Sequence, residues 1–469
     1  MSATPNILVI IVTWNKKDYV LNLLDSLYDL DYPREALDIM VVDNASEDGT
    51  ITAIRERFPT VRLLENDENL GGTGGFNTGL RWAFEQEEGR YDYLWLLDND
   101  VVVHRRALSA LVELLETMPD AAIAGSTIMQ LDYPWRINEM GAYVDRRNAY
   151  LYLNRHMEEI PQWKGVSIAA LLANEQVDLS RLLMHCPTHL DVDYVAAASL
   201  LIRTSIAKQA GLWMDFFIHY DDVEWCLRIG KMGHRVLVSA RSLIWHLSAA
   251  AKVPTWVLYY DNRNALYLLS KHSGAQAVKA TSRRILKKAL YYGLLGKMDL
   301  AYFHLDAIDD YRRGVTGKKS LHLSSPSIIN AEIKQLLRDT QIKRVLIPWT
   351  INLQATRTHA QIVQVLKQRS DLQIYYLPPP AEQARILPIP GAQLCTVSSW
   401  APLRYFQYWQ MRNRHFDLVW QSDYQPILFL SWLGRENLFI NDETFRRLPS
   451  PKPVELFGLL REILRRWLG

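Results

Sequence analysis

The chain has 469 residues, 49% hydrophobic and 22% charged, with a formal net charge of +2. This is an ordinary globular composition of two or three domains, with no charge excess to mark a nucleic-acid binder. Three dispersed cysteines (Cys186, Cys226, Cys395) exclude a disulfide scaffold and a cysteine zinc site and fit a reducing compartment. Met1 to Asn6 carries no basic leader, the run Ile7–Val12 is too short for a signal peptide, and no window approaches the ~20 apolar residues of a spanning helix. A cytoplasmic protein is expected, with contact at a membrane surface left open.

Ile7 to Val12 reads as a buried strand, ended by Thr13-Trp14-Asn15. Asn15 is placed to cap the next helix, in which Val20, Leu23, Leu24 and Leu27 recur at helical spacing. Asp38–Val42 is a second strand that ends in Asp43-Asn44; Ile51, Ile54 and Phe58 mark a helix, and Val61–Leu64 a third strand. The glycine-rich stretch Asn69–Gly79 leads into a helix through Leu80 and Phe84. The apolar run Tyr93–Leu97 follows and stops at Asp98-Asn99-Asp100. Such strand–helix repeats predict a parallel sheet with right-handed crossovers. Polar residues gather at the carboxyl ends of these strands, where open α/β sheets bind ligands.

Residues 120 to 275 read as mixed strand and helix. Beyond them Arg283, Arg284, Lys287, Lys288 and Lys297 interleave with Ile285, Leu286, Leu290 and Leu294. This basic amphipathic helix suits an anionic membrane surface, and equally a helix packed on its own protein with a solvated basic face. Gly317–Ser327 reads as a linker. Strands at Arg344–Ile347, Leu372–Tyr376, Phe416–Trp420 and Leu438–Ile440, a helix through Ile362 and Leu366, and an amphipathic helix over Leu456–Leu468 make a small α/β domain. The expected division is 1–275, 276–325 and 340–469.

Asp98 and Asp100 offer two hard oxygen ligands at a strand end, suited to Mg²⁺ or Mn²⁺ and through it to a phosphate. The plain alternative is an acidic surface turn. The Asn69–Gly79 glycines lack both the dinucleotide fingerprint and the lysine of a P-loop. Asp43–Thr50 fails as a calcium loop, with Ala45 at a ligand position and Asp48 at the required glycine. Asp43 reads better as a strand-end carboxylate that accepts N–H groups, for example from a nucleobase, with a helix-entry turn as the alternative. Phe217–Trp225 sets Asp221, Asp222 and Glu224 among aromatic residues, the expected form of a general base beside a sugar. His246 ends another apolar run; it is either structural or a third metal ligand with Asp98 and Asp100.

Taken in order, Thr13-Trp14-Asn15, Val41–Ser46, Asn69–Gly79, Leu97–Asp100, Asp221-Asp222 and Trp245-His246 resemble glycosyltransferase family 2 over about residues 5 to 275. Within that family the chain is similar to bacterial rhamnosyltransferases and, by its glycine loop and the string Phe217–Trp225, to galactofuranosyltransferases. The resemblance implies a GT-A-type nucleotide-sugar-binding domain with a mainly parallel central sheet, then a helical segment and a small C-terminal α/β domain. It implies inverting transfer of galactofuranose, or next rhamnose, from a UDP- or dTDP-linked donor to a glycan or lipid-linked glycan in cell-surface polysaccharide synthesis. On that reading Asp98, Asp100 and His246 hold Mn²⁺ or Mg²⁺, and Asp222 is the general base. Thr13, Asn15 and Asp43 hold the nucleoside; Asn69, Gly71 and Asn99 complete the donor side, and Arg263 either adds a cation near the phosphates or belongs to a structural helix. Tyr220, Asp221 and Trp225 border the acceptor. Asn99 departs from the family pattern, since many relatives carry a third acid there. The competing expectation is a catalytically inactive glycosyltransferase-like binding or scaffold protein.

Overall fold

The structure, a computed structural model, describes residues 4–247, 256–321, 327–329, 338–348, 368–369, 371–380, 391–422, 427–440 and 444–468. The helix expected through Ile362 and Leu366, and residues 322–326 of the expected linker, lie outside the described residues. In chain order the elements are β1 (Ile7–Thr13), α1 (Lys17–Tyr28), β2 (Leu37–Asp43), α2 (Thr50–Arg57), β3 (Arg62–Glu65), α3 (Gly71–Phe84), β4 (Tyr93–Asp98), β5 (Val101–Val103), α4 (Ala107–Thr117), β6 (Ala121–Gln130) and β7 (Ile137–Glu139). Then come β8 (Ala142–Asp145), β9 (Tyr150–Leu153), α5 (Ile168–Leu172), α6 (Leu179–Leu182), β10 (His189–Asp191), β11 (Leu200–Arg203), α7 (Thr204–Ala210), α8 (Asp221–Lys231) and β12 (Arg235–His246). Three helices follow: α9 (Val257–His272), α10 (Ala275–Leu294) and α11 (Met298–Arg313). The last elements are β13 (Ser327–Ile329), β14 (Arg344–Ile347), β15 (Gln373–Tyr376), β16 (Gln393–Leu394), α12 (Ala401–Met411), β17 (Phe416–Ser422), β18 (Gly434–Ile440), β19 (Thr444–Pro449) and α13 (Pro453–Leu468).

Two compact units divide these elements. The first holds residues 1–251, 263–281 and 310–319; the second holds 252–262, 282–309 and 320–469. The segment read as one helical linker thus contributes to both.

In the first unit the sheet runs β10-β12-β6-β11-β4-β1-β2-β3, with β5 on β12 and β7 on β6. The expected parallel block is β4-β1-β2-β3. Beyond β4 the sheet becomes mixed, because β11 enters antiparallel to both β4 and β6. Antiparallel pairing needs no crossover helix. Alternate residues of β1 part to the two faces: Ile7, Val9 and Ile11 join the core under α1, α2 and α4, while Leu8 and Ile10 join the core under α3. A Cβ at Gly75 or Gly79 would run into the side chains of Val12 or Ile10, so these glycines let α3 lie close on β1.

The second unit is built on a sheet of order β13-β19-β18-β17-β14-β15-β16, parallel from β16 to β18. Leu346, Phe416, Val419 and Leu430 lie in its core. The apolar face of α10 is turned inward, with Ile285, Leu286 and Ala289 buried, and the buried Lys297 ammonium sits 4.5 Å from the Phe439 ring centroid. Of the two readings of this basic helix, the packed one is realised. Among the described residues no helix is long and apolar enough to cross a membrane.

Candidate active site

Parallel register sets the carboxyl ends of the first strands side by side: Thr13 lies opposite Asp43, and Val12 opposite Asp98. Thr13 is buried, and its Oγ1 accepts from Asn99 Nδ2 at 2.9 Å. Asn99 therefore braces two strand ends. Asn15 is exposed in a left-handed conformation (φ 49°). It does not cap α1, which has no side-chain cap; instead its N–H donates to Ser46 Oγ at 2.8 Å and its Oδ1 accepts the Glu47 N–H at 2.7 Å. Asp43 is buried, and its Oδ2 accepts the Ser46 N–H at 2.7 Å. Its Oδ1 is buried without a hydrogen-bond partner among the described residues. A buried acceptor left open is costly unless a ligand satisfies it.

Asp98 and Asp100 stand on either side of the β4–β5 turn. Strand β5 pairs antiparallel with the end of β12, which puts His246 opposite Val101. His246 Nε2 comes to 2.9 Å from Asp100 Oδ1 and 3.9 Å from Asp98 Oδ2. One ligand atom from each residue lies within 4.8 Å of the others, and all three side chains are partly exposed. Two carboxylates and an imidazole in this spacing fit a divalent cation such as Mn²⁺ or Mg²⁺.

Asp221 and Asp222 open α8 from a strained turn. Phe217, His219 and Tyr220 all have φ between 66° and 68°, a conformation that non-glycine residues hold only when their surroundings impose it. Asn264 imposes it here: its Nδ2 donates to the Ile218 and His219 carbonyls at 2.8 and 3.0 Å. Gly71 seals the other side, since a Cβ there would run into the Phe217 carbonyl. Asn69 in turn holds Gly71, its Oδ1 accepting that N–H at 2.8 Å.

Asp221 is buried and accepts from the Thr73 hydroxyl at 2.6 Å. Burial raises its carboxyl above the ordinary value, while Thr73 acts to lower it. Asp222 is fixed by backbone donors: Oδ2 accepts from Ala197 N–H at 3.2 Å and Oδ1 from Val223 N–H at 2.7 Å. Burial, then the neighbouring Asp221 charge, pushes Asp222 up to about 8. The ordinary ionised carboxylate expected from sequence is therefore not what stands here. A base near neutrality is well matched to proton abstraction.

Two expected site residues serve the framework instead. Trp225 is fully buried: its indole N–H donates to the Gly211 carbonyl at 2.9 Å and its ring packs on Trp213. Four residues after Asp221, it falls on the face of α8 that enters the core. Arg263 is also fully buried, with Nη2 donating to Phe216 O at 2.9 Å and Nη1 to Gly317 O at 2.8 Å. Its guanidinium thus ties down backbone next to the Phe217–Tyr220 turn rather than a donor phosphate. Tyr220 is half-buried and donates to the Ala149 carbonyl at 3.0 Å.

One residue went unmarked. Glu139, on β7, is buried; its carboxyl is pushed up to about 7 by burial, against an opposing pull from His246. It also adds to the upward shift of Asp222. Glu139 thus lies within electrostatic reach of both the three-residue cluster and the Asp222 carboxyl. Its one sequence signal is phase: it shares the buried face of β7 with Ile137.

Residues 8–165 match the family model described as glycosyl transferase family 2. The chain carries a family 2 glycosyl transferase domain. The match covers the strand ends, Asp98, Asp100 and Glu139; Asp222 and His246 lie beyond it. The chain is 24% identical to the galactofuranosyltransferase GlfT2 of Mycolicibacterium smegmatis, over 60% of this chain and 44% of that one. It is also 24% identical to the N-acetylglucosaminyl-diphospho-decaprenol L-rhamnosyltransferase of Mycobacterium tuberculosis, over 50% of this chain and 76% of that one. A structural likeness to GalNAc-T7 with UDP, GalNAc and Mn²⁺ has a TM-score of 0.44 at 14% identity, covering 67% of this chain and 57% of that one. The chain spans about half the length of the galactofuranosyltransferases it matches.

Proposed function

We propose that this protein is an inverting, divalent-metal-dependent glycosyltransferase that moves a sugar, galactofuranose before rhamnose, from a UDP- or dTDP-linked donor to a hydroxyl of a glycan or lipid-linked glycan. The observation that carries the reading is the convergence of Asp98, Asp100 and His246 from two distant strand ends within 4.8 Å. The similarity to GlfT2 and to the rhamnosyltransferase supports the choice of sugars.

Asp98, Asp100 and His246 would hold Mn²⁺ or Mg²⁺, whose charge offsets that of the departing nucleoside diphosphate. Asp43 presents its open Oδ1 to a nucleobase N–H, with Thr13 and Asn15 beside it. Asp222 takes the proton of the acceptor hydroxyl as the oxygen attacks C1 from the side opposite the nucleotide. That direction of attack inverts the anomeric centre. Asp221 and Thr73 position Asp222 and set its basicity. Asn264 and Arg263 hold the turn that precedes it.

The test is nucleotide release by the purified chain from UDP-galactofuranose and dTDP-rhamnose, with Mn²⁺ or with chelator. Release from one of the two in Mn²⁺ alone supports the reading. Failure to release nucleotide from any member of a wider donor panel, with binding retained, would make the chain a non-catalytic binding protein.

A further inference from the structure

The second unit turns the wrong face of two helices outward for a protein surrounded by water. On α13 the positions 454, 457, 461, 464, 465 and 468 share one side of the helix. Val454, Phe457, Leu464 and Leu468 are 69%, 71%, 58% and 85% exposed. The opposite side is the ordinary buried one, with Leu459 and Ile463 inside and Arg466 paired to Asp309 at 2.5 Å. A solvated helix shows its polar face. Here the outward face is apolar, and its charges are Arg461 and Arg465, the latter bridged at the margin to Glu462 at 2.9 Å.

Helix α12 repeats the pattern. Tyr408 and Met411 are buried, while Leu403, Phe406 and Trp409 face outward and Trp400 precedes them. Phe406 and Trp409 stack on each other at 5.8 Å. From Trp400 to His415 the chain has Arg404, Arg412 and Arg414 and no acidic residue. The two helices meet at a cleft of about 320 Å³, lined by Trp409 and Arg412 from the α12 side, Leu456 from α13, and Phe429 and Trp432.

We infer that the second unit docks on the surface of an anionic lipid bilayer through α12 and α13. Exposed Trp, Phe and Leu on basic amphipathic helices match the boundary between headgroups and acyl chains, where aromatic rings sit at the interface and arginines meet anionic headgroups. Soluble monomers rarely leave clustered apolar side chains of this kind to water. A second copy of the chain fits it less well. The 454, 457, 461, 464, 468 spacing would form a seam with Arg461 in its middle, and burying that guanidinium unpaired is costly. The inference goes beyond the transferase reading and is tested without it, since vesicle binding needs neither donor nor acceptor.

The experiment is co-sedimentation of the full chain with vesicles of phosphatidylcholine, alone or mixed with phosphatidylglycerol. The wild type should partition onto the mixed vesicles and be released by salt. Phe457→Ser with Leu464→Ser should weaken partitioning by roughly tenfold or more. Arg461→Glu with Arg465→Glu should weaken it on mixed vesicles alone by at least about 25-fold, about fivefold for each cation removed. These sites are exposed, so circular dichroism and the thermal midpoint should be unchanged, which separates lost docking from lost folding. Wild type that stays in the supernatant with mixed vesicles overturns the inference. So does a wild-type dimer that Phe457→Ser with Leu464→Ser turns into monomer without any change in vesicle binding; the face would then belong to a second copy.

Discussion

Asp222 and Glu224 lie two residues apart in the first turn of α8, Glu224 fully buried and Asp222 half-buried. Their carboxyl groups are driven in opposite directions. Around Glu224, burial works to raise the carboxyl, but His272, Lys271 and Arg228 outweigh it and hold it at about 2. The ion pairs measure 2.8 Å to Arg228, 2.7 Å to Lys271 and 3.3 Å to His272. Among the described residues Asp222 meets no such cations; its carboxyl meets backbone N–H groups and the acidic Asp221 and Glu139, and stands at about 8. A paired, permanently charged carboxylate fastens a helix. A carboxylate kept short of positive charge retains an appetite for a proton. Environment, not residue type, separates the base from the fastener.

The sharpest way to break this contrast is to remove each carboxyl in turn. Asp222→Asn should lower turnover about 10²-fold or more while the thermal midpoint holds or rises. Nucleotide release from the chosen donor measures it, and unchanged turnover would remove Asp222 from the role of base. Glu224→Gln should do the reverse, costing about 3 kcal/mol or more of stability because Arg228, Lys271 and His272 lose their common partner. Its turnover per folded molecule should stay near wild type, and denaturant melts beside active-site titration read both quantities. Next in size comes His246→Ala, which should raise the Mn²⁺ concentration needed for half-maximal release by at least roughly tenfold.

pH sharpens the same contrast, with opposite signs for the two groups. Asp222 is raised from 3.8 to about 8, so the fold prefers its neutral form. Its penalty is absent below the unfolded value, grows as pH rises, and is complete above about 8. In chelated protein, Asp222→Asn should therefore stabilise at pH 9 and change little at pH 3. Glu224 is lowered from 4.5 to about 2, so its stabilisation is present above 4.5 and lost as pH falls toward 2. Thermal midpoints of Glu224→Gln and wild type should converge at the acid end and separate above it.

The parts of this site visible in the sequence are those that local periodicity controls. Buried runs stop at Thr13, Asp43 and Asp98, and parallel register then aligns them. The meeting of His246 with Asp100 depends on the β5–β12 pairing across more than a hundred residues; order along the chain suggests it and only the pairing produces it. Trp225 and Arg263 mislead because an aromatic ring and a guanidinium serve a core or a strained turn as readily as a sugar or a phosphate. Glu139 is silent because nothing in a lone glutamate announces that it is buried near two other ionisable groups. The glycines of Asn69–Gly79 suggest a ligand loop, yet Gly75 and Gly79 serve helix–strand packing and Gly71 the turn before Asp221.

The smallest expected effect probes how Asp222 acquires its basicity. Thr73 donates to Asp221 at 2.6 Å and thereby favours the charged form of that carboxyl. The Asp221 charge is in turn a cause of the upward shift at Asp222. Thr73→Val keeps the shape of the side chain and removes the donor. Asp221 should then hold its proton more firmly, present less negative charge, and let the Asp222 carboxyl fall. The acid limb of the pH–rate profile should move to lower pH, while the plateau drops only a few-fold because the backbone donors from Ala197 and Val223 still orient the base. A limb that moves to higher pH, or does not move, would show that Asp221 acts on Asp222 through shape rather than charge.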